Sequence, residues 1–533
     1  MNTVAPPEFS IQDFKTGSAI IARLPLTNPP QAARDLERFL DILMAAPPDG
    51  ETYFRLLEHI RLPISFVTED LAKRYIDKPL PLADLEEEIF QQVLALWKKS
   101  TRAYAHCAEI DPSGNYDAAH ALRIATVLHR CVWHSAMFIY EHWRTRRELP
   151  WGAWMDVHGY YASAEEWEIT QLAVPDALDP LGRSSNVEAA FAGLVLCDMA
   201  SCYSLTSRQQ ALVRRWSLFW APMVGLVKPV PGDPLPAFVI DLMKDSAMRP
   251  VSECLQTEHV RYLDTSRLAL HMTEIRQQLR KRVGPTELGL GEGYSAVRCI
   301  EVLDLLARPW AQAKIARQFA RKATAGISKL CAGFEEMHFY ISGHEFEQPA
   351  SANVYSTPEY VSALTYRNQG DPAQAITVQT RQYAYSVDDW EVVNQSANGF
   401  RLARSTSGKK MVHGELLALC PHDGGFFMLA KNTWLMQEKE GGLIAGMRLL
   451  PGKPVAIAAR GAEENGASAG PYERAFLLPA IAAVNAEQSV ILPLGWYRLG
   501  RIVEIYVEGP VRIRLGKLLD AGQDFERISY ELA

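Results

Sequence analysis

Pairs of arginines at helical spacing are the residues of this chain best suited to holding a phosphorylated ligand. Arg276 and Arg280 form one pair, and Arg317 and Arg321 form another. A guanidinium group is planar, always charged and a bidentate donor, so it can clamp a phosphate and stack on a base. Both pairs lie in predicted helices, where residues i and i+4 share a face. A solvated basic helix face is the simpler explanation of such a pair, and both interpretations stay open.

A polar turn between two β-type runs is the second feature. The runs Trp390–Val393 and Phe400–Arg404 flank the segment Asn-Gln-Ser-Ala-Asn-Gly at residues 394–399. Asn-Gly is the strongest short hairpin signal in a sequence, because both residues tolerate positive φ. The segment therefore predicts a β-hairpin.

The same turn resembles the second signature of PilZ domains, Asp/Asn-x-Ser-x-x-Gly. The downstream segments Phe426–Leu435 and Leu443–Leu450, joined by a Gly-rich turn, are similar to the later PilZ strands. PilZ domains are small β-barrels, and many of them bind the second messenger cyclic di-GMP. The resemblance implies that Asn394 and Ser396 meet the guanine edges of that ligand and that Gly399 permits the tight turn.

The chain departs from the family at the first PilZ signature. PilZ domains that bind cyclic di-GMP carry Arg-x-x-x-Arg before the turn, where the arginines clamp the phosphates and stack on guanine. Here the lead-in offers Arg367 and Arg381, and Tyr385 stands in place of the second arginine. A helix folded back onto the barrel could supply another pair. The resemblance thus implies this cyclic di-GMP set: Arg381, Asn394, Ser396, Gly399, Arg317 and Arg321.

Two other groups of residues could hold ligands, but both have simpler explanations. The glycine-rich segment 288–293 lacks the buried strand that precedes a cofactor-binding loop, so it predicts a connection between helices. The histidines and glutamates at 338–347 are types that bind zinc, yet a polar loop at a domain boundary accounts for them. No Gly-x-Ser-x-Gly nucleophile elbow, His-Glu-x-x-His or Walker motif is recognised, since the Gly-Ala-Ser-Ala-Gly string at 466–470 belongs to a predicted small-residue loop. We therefore predict no metal, no cofactor and no catalytic residues.

Composition narrows the class of protein. A chain of 533 residues is too long for one core and suits roughly two to four domains. The net charge of −7 argues against general nucleic-acid binding, so no DNA or RNA partner is expected. No signal peptide and no membrane-spanning apolar run is found, and the eight cysteines form no C-x-x-C pair. These features favour a cytoplasmic protein with reduced thiols.

In the first part of the chain, apolar residues recur at helical spacing. After about residue 345, short apolar runs alternate with turns, as in β structure. The predicted helices are Leu85–Trp97, Ala118–Arg146, one from Ser207 with Gln210 at the capping-box position, Val260–Arg282, and Ser295–Ala323 with Ser295 as N-cap. The predicted strands are Ala375–Tyr383, Trp390–Val393, Phe400–Arg404, Glu415–Leu419, Phe426–Leu435, Leu443–Leu450, Pro454–Ala459, Ala475–Leu478, Val490–Leu494, Arg501–Val507 and Val511–Leu515.

These elements predict an α+β multidomain chain. An all-α region of helical hairpins at 1–345 is followed by a linker at 346–373, a PilZ-like antiparallel β-barrel at 374–460 and a β extension or second small β module at 461–533. The implied function is that of a non-enzymatic regulator or adaptor that responds to cyclic di-GMP and binds a protein partner through its helical region. Two alternatives stay open: a PilZ-like scaffold that has lost the nucleotide and acts only in protein–protein interaction, and an enzyme hidden in the helical region.

Overall fold

The computed structural model of the chain describes residues 11–110, 117–179, 182–230, 236–254, 257–312, 322–349, 385–405, 408–462 and 470–533. The chain divides into two compact units. The first contains the described residues up to 312 except 79–81. The second contains 79–81 and the described residues from 322 onward.

Helices make up most of the first unit. They are α1 (Phe14–Ala22), α2 (Pro29–Ala45), α3 (Gly50–Ala72), α4 (Asp84–Ile110), α5 (Ala118–Arg144), α6 (Ala153–Glu166), α7 (Val187–Met199), α8 (Ser207–Trp220), α9 (Ser266–Arg280) and α10 (Ala296–Trp310). Its strands are β1 (Val174–Pro175), β2 (Ser184–Ser185), β3 (Gly225–Val227), β4 (Phe238–Asp241), β5 (Arg249–Pro250) and β6 (Val260–Asp264). The first two strands pair with each other, and the other four form an antiparallel sheet in the order β3-β6-β4-β5.

Helix α5 is the centre of this unit. It packs against α4, α6 and α7, so residues around most of its circumference are buried. Its Arg130 is buried and donates from Nε to Glu58 of α3 at 3.0 Å and from Nη2 to the carbonyl of Pro175 at 2.6 Å. A second buried arginine, Arg61, pairs with Asp176 at 2.9 Å. Both buried cations therefore have an anionic partner, as burial of charge requires.

The structure confirms the long helix that begins at Ala118 and corrects two details of the sequence prediction. The predicted helix over Val260–Arg282 is wrong at its start, because Val-Arg-Tyr-Leu-Asp at 260–264 forms strand β6 and the helix begins at Ser266. Branched and aromatic residues there fit a half-buried sheet. The capping box of α8 is Thr206 with Gln209 rather than Ser207 with Gln210. Ser295 is the N-cap of α10, as predicted.

Two six-stranded barrels make up most of the second unit. The strands of the first are β8 (Ile327–Ala332), β9 (Asp388–Ser396), β10 (Gly399–Arg404), β11 (Leu416–Cys420), β12 (Met428–Gln437) and β13 (Leu443–Leu449), and a short strand β7 (Lys322–Ala323) pairs with β9. Pairing follows the order β10-β13-β12-β11-β8-β9, and β9 also pairs with β10, which closes the ring. We call this ring barrel 1.

The second ring, barrel 2, is closed by strands that follow barrel 1 in the chain. Its strands are β14 (Val455–Gly461), β15 (Glu473–Leu478), β16 (Ser489–Pro493), β17 (Ile502–Tyr506), β18 (Pro510–Ala521) and β19 (Phe525–Leu532), in the order β14-β15-β16-β19-β18-β17. Its interior is apolar, with residues such as Ile457, Val490 and Ile513 almost fully buried.

The strands differ from the sequence prediction in where the barrels begin. Strand β8 lies inside the range expected to be helical, and Pro454–Ala459 belongs to barrel 2 instead of the PilZ-like barrel. The helix predicted to reach Ala323 ends at Trp310, and Lys322–Ala323 is strand β7. The side chains of Ser328 and Leu330, two residues apart, are both buried in the barrel interior. This spacing is the two-residue period of a strand. The predicted strand Ala375–Tyr383 lies outside the described residues.

A helix and a hairpin join the two barrels. Helix α11 (Phe334–Ser342) follows β8 and buries Met337 in an apolar cluster shared with Leu416 of barrel 1 and Phe476 of barrel 2. The β18–β19 hairpin reaches barrel 1, where Asp524 accepts a hydrogen bond from the Leu416 amide at 2.9 Å. These contacts predict that the two barrels unfold together.

Glu415 is expected to give the second unit a stability that falls as pH rises. It lines a small cavity of barrel 1 beside Leu330 and Met411, and burial, with the nearby Asp524 carboxylate, raises the pKa of Glu415 to about 8. Its neutral form is therefore favoured by folding. That stabilisation is complete below the ordinary glutamate range and is lost as pH approaches 8.

Thermal unfolding of the full chain between pH 5 and 8 measures this effect. The wild-type transition of the second unit should move to lower temperature across that range, and Glu415→Gln should remove part of the slope. The same change at exposed Glu440 is the control. An unaltered slope in Glu415→Gln would contradict the assignment.

Candidate functional site

The polar turn predicted from the sequence joins β9 to β10. Ser396 pairs with Gly399, so the two loop residues are Ala397 and Asn398. The Ser396 hydroxyl lies 3.1 Å from Asn398 Oδ1 and 3.3 Å from the Gly399 carbonyl oxygen. The hairpin is therefore confirmed, and its tip is fixed by hydrogen bonds of its own serine.

Gly399 is needed at this turn for a reason other than the one expected. Neither Asn398 nor Gly399 has a positive φ. Gly399 is the first residue of β10, and a methyl group on its Cα would overlap the carbonyl oxygen of Met447 on β13. The close approach of two strands, rather than left-handed backbone, explains why glycine occupies the position.

A β-bulge places the two predicted polar ligands on the outer surface of barrel 1. Val392 pairs with Leu402, and both are buried inside the barrel. The register then shifts, and Asn394 pairs with Arg401. Neighbouring residues of a strand point to opposite faces, whereas paired residues share one. Arg401 and Asn394 therefore face outward, and so does Ser396, two residues further along.

One row of side chains crosses this outer face from Asn394. Arg401 pairs with Gly446 on β13, which pairs with Trp434 on β12. The Trp434 indole extends across Gly446, where any side chain would overlap it. The Arg401 guanidinium carbon lies 5.5 Å from the centroid of the Trp434 ring. A cation and an aromatic ring thus lie on the same face as Asn394.

A second row crosses the same face from the tip of the turn. Gly399 pairs with Arg448 on β13, which pairs with Lys431 on β12. Asp520 of barrel 2 forms ion pairs with both cations, at 2.8 Å for Lys431. Burial raises the pKa of Asp520, but the hydrogen bond and charge of Lys431, with the charge of Arg448, lower it further, so the net shift is downward. These two rows together carry three cations and one carboxylate, so their net charge is positive.

The remaining predicted ligands fall outside the described residues: Arg381, Arg317 and Arg321. The first described residues after them are Lys322 and Tyr385. Lys322, the residue after Arg321, pairs with Gln395 within the turn segment. Tyr385, the residue in the place of the second signature arginine, stacks on Phe339 of α11 with ring centroids 4.6 Å apart. Tyr385 therefore packs against the helix that joins the barrels.

The other motifs of the sequence have structural partners. Arg276, from the alternative arginine pair, forms an ion pair with Asp304 at 2.9 Å in the first unit. The glycine-rich segment is a loop, and the Trp216 indole donates to the carbonyl of Leu290 at 3.0 Å. The ring nitrogen Nε2 of His338 lies 3.2 Å from the carbonyl oxygen of Ile457. Over the described part of the chain, no group of three His, Cys, Asp or Glu residues is arranged to hold a metal ion.

Arg401 and Trp434 are among the residues of this face that the sequence analysis did not predict. Their relation to Asn394 depends on the pairing of four strands and on the bulge between Arg401 and Leu402. Sequence alternation predicts strands but gives no register between β12 and β13. The only signal available was that Arg401 lies two residues after the turn glycine.

Comparison with known proteins agrees with this architecture. Three family models match in chain order: the N-terminal domain of the cyclic-di-GMP receptor FimW at residues 15–230, its middle PilZ domain at 237–362, and the FimW C-terminal β-barrel domain at 457–533. The chain therefore belongs to the class of PilZ-domain proteins with a large helical N-terminal region and a C-terminal barrel. The PilZ match includes Arg317 and Arg321 and ends before Asn394.

Among curated proteins, the chain is similar to the cyclic-di-GMP receptor FimW of Pseudomonas aeruginosa. The two are 23% identical over 533 residues, which cover 92% of this chain and 86% of that protein. The third family match begins close to β14, the first strand of barrel 2. Across the described residues, no helix is both long enough and apolar enough to cross a bilayer.

Proposed function

We propose that this chain is a non-enzymatic cytoplasmic effector that binds cyclic di-GMP on the outer face of barrel 1. The observation that carries the proposal is the positive face formed by Arg401, Lys431 and Arg448 beside Asn394 and Ser396. Cyclic di-GMP has two phosphates and two guanines, so it needs cations and hydrogen-bonding side chains together. The relative named a cyclic-di-GMP receptor supports the choice of this ligand.

Arg317 and Arg321 are the proposed phosphate ligands. The support is the point at which the chain enters barrel 1: Lys322 pairs with Gln395, and Arg321 is bonded to Lys322. An Arg-x-x-x-Arg sequence therefore immediately precedes a residue that pairs inside the turn. This arrangement favours Arg317 and Arg321 over Arg381 for the role that the PilZ resemblance implies.

The alternative scaffold without a nucleotide predicts a different use of the same face. In that case Arg401 would contact an acidic group of a protein, and the pair Arg317 and Arg321 would be a solvated basic surface. The resemblance to a cyclic-di-GMP receptor disfavours this alternative. Measurement of nucleotide affinity separates the two functions.

Replacing Asn394 and Ser396 together with alanine is expected to weaken cyclic di-GMP binding by about 10–100-fold, since each lost hydrogen bond is worth about 0.5–1.5 kcal/mol. Isothermal titration calorimetry of the full chain measures the change. Both side chains lie on the outer face, so the unfolding temperature should change little.

The matched control is Ser163→Ala on α6 of the first unit, which should bind as tightly as wild type. Unchanged affinity in the Asn394/Ser396 variant would contradict the placement of the ligand on this hairpin. A large fall in unfolding temperature would instead show that the pair holds the turn, through the Ser396 hydroxyl.

We propose that the first unit carries the surface that binds a protein partner. Leu62 and Phe66 lie one turn apart on α3 and are 58% and 54% exposed. Apolar side chains so exposed on one helix face are typical of contact surfaces. Leu62→Glu with Phe66→Glu should abolish partner capture and leave cyclic di-GMP affinity unchanged, and retained capture would contradict this placement.

A further inference from the structure

Arg401 differs from the other cations of the outer face in having no anionic partner. Lys431 and Arg448 both form ion pairs with Asp520. Within the described part of the chain, Arg401 forms no ion pair or side-chain hydrogen bond, and its Nε is buried without a partner. Its guanidinium lies against the Trp434 ring. Burying part of a guanidinium without a polar partner is costly in the free protein, so a ligand that contacts Arg401 recovers part of that cost.

The strands hold Arg401 and Trp434 in place. Arg401, Gly446 and Trp434 are consecutive partners across three strands, and Gly446 leaves room for the indole between them. Both side chains are partly exposed. The Arg401 guanidinium thus lies within cation–π distance of an aromatic ring, and Arg401 is the strand partner of Asn394.

We propose that Arg401 is a ligand-binding residue that stacks on one guanine of cyclic di-GMP. Trp434 is the positioning residue, because it packs against the Arg401 guanidinium and fixes its orientation. This inference rests on the proposed function. Stacking of a base on a guanidinium plane, supported from behind by an aromatic ring, combines dispersion with cation–π attraction. Asn394, one strand away, then faces the edge of the same base.

Stacking on a base requires the planar shape of the guanidinium as well as its positive charge. A lysine at position 401 keeps the positive charge but has no plane to stack on a base. Replacement of Arg401 by lysine should therefore weaken binding almost as much as replacement by methionine, by about tenfold or more. Trp434→Leu should also weaken binding by several-fold, since the guanidinium loses its support.

The test is calorimetric titration of the full chain and its variants with cyclic di-GMP. Arg401→Lys, Arg401→Met and Trp434→Leu are compared with Arg498→Lys, a change at an exposed arginine of barrel 2 that should have no effect. Thermal unfolding of each variant reports whether the fold is kept. If Trp434→Leu unfolds, the two Arg401 variants still decide the question, because Arg401 lies on the outer face.

Three outcomes are distinct. Weak binding by both Arg401 variants with an unchanged unfolding temperature supports the stack. Wild-type affinity in Arg401→Lys, with a loss only in Arg401→Met, overturns stacking and leaves a simple charge contact. If the wild-type chain binds no cyclic di-GMP, the proposed function fails first and this inference fails with it.

Discussion

Replacing both Arg317 and Arg321 with alanine is expected to weaken cyclic di-GMP binding by at least about 100-fold. Each guanidinium can make bidentate, charge-assisted hydrogen bonds to phosphate, and such bonds are worth about 1.5–3 kcal/mol each. The loss of two should remove most of the affinity that electrostatics provides. Titration calorimetry of the full-length variant at fixed salt concentration measures the change.

The chain contains its own control for this experiment. Arg276 and Arg280 have the same spacing and lie on α9 of the first unit, where Arg276 forms an ion pair with Asp304. Their double replacement removes the same number of charges and should leave cyclic di-GMP affinity within about twofold of wild type, because an exposed ion pair is worth roughly 0–1 kcal/mol of stability. Equal effects of the two double variants would contradict a specific role for Arg317 and Arg321.

Gly399→Ala is expected to lower the unfolding temperature of the second unit by several degrees and to weaken ligand binding. Any Cβ at position 399 overlaps the carbonyl oxygen of Met447, a backbone atom that can move only if β13 moves with it. Overpacking of this kind costs about 1–3 kcal/mol. Differential scanning calorimetry of the full chain follows the transition.

Gly425→Ala is the matched control for this substitution. Gly425 also has no positive φ and belongs to barrel 1, but a Cβ there meets no atom within contact distance. Its replacement should change stability by less than about 0.5 kcal/mol. If Gly399→Ala proved as stable as Gly425→Ala, then β10 and β13 would be less closely packed at the turn than they are in the structure.

Local patterns in the sequence were sufficient for the hairpin and most of the strands of the second unit. Asn-Gly between two alternating runs predicted the turn, and it forms between β9 and β10. Alternation also predicted strands close to β11, β13 and β16. These features depend on neighbouring residues, and neighbouring residues are what a single sequence displays.

Features that depend on distant residues could not be predicted. Strand β8 completes barrel 1 from a position more than fifty residues before β9, and its lead-in reads as the end of a helix. Strand β19 was missed because Phe525–Leu532 alternates weakly between apolar and charged residues. Neither the closure of two separate rings nor the boundary between β13 and β14 has a local signal.

The residues of the candidate site also fall into those with a local sequence signal and those that depend on distant residues. Asn394, Ser396 and Gly399 were predicted from their spacing, but the structural reason for a glycine at 399 is its approach to Met447 on another strand. Arg401 was not found, because its position across from Asn394 depends on a bulge that shifts the register. The proposal that favours Arg317 and Arg321 over Arg381 also required pairing information, namely that Lys322 lies beside Gln395.

The most direct test of the central claim is calorimetric titration of the purified full-length chain with cyclic di-GMP, with GTP and cyclic di-AMP as controls. We predict selective binding of cyclic di-GMP in the micromolar range or tighter, weakened in the Asn394/Ser396 and Arg317/Arg321 variants. Absence of binding heat at high cyclic di-GMP concentration, or equal binding of cyclic di-AMP, would contradict it.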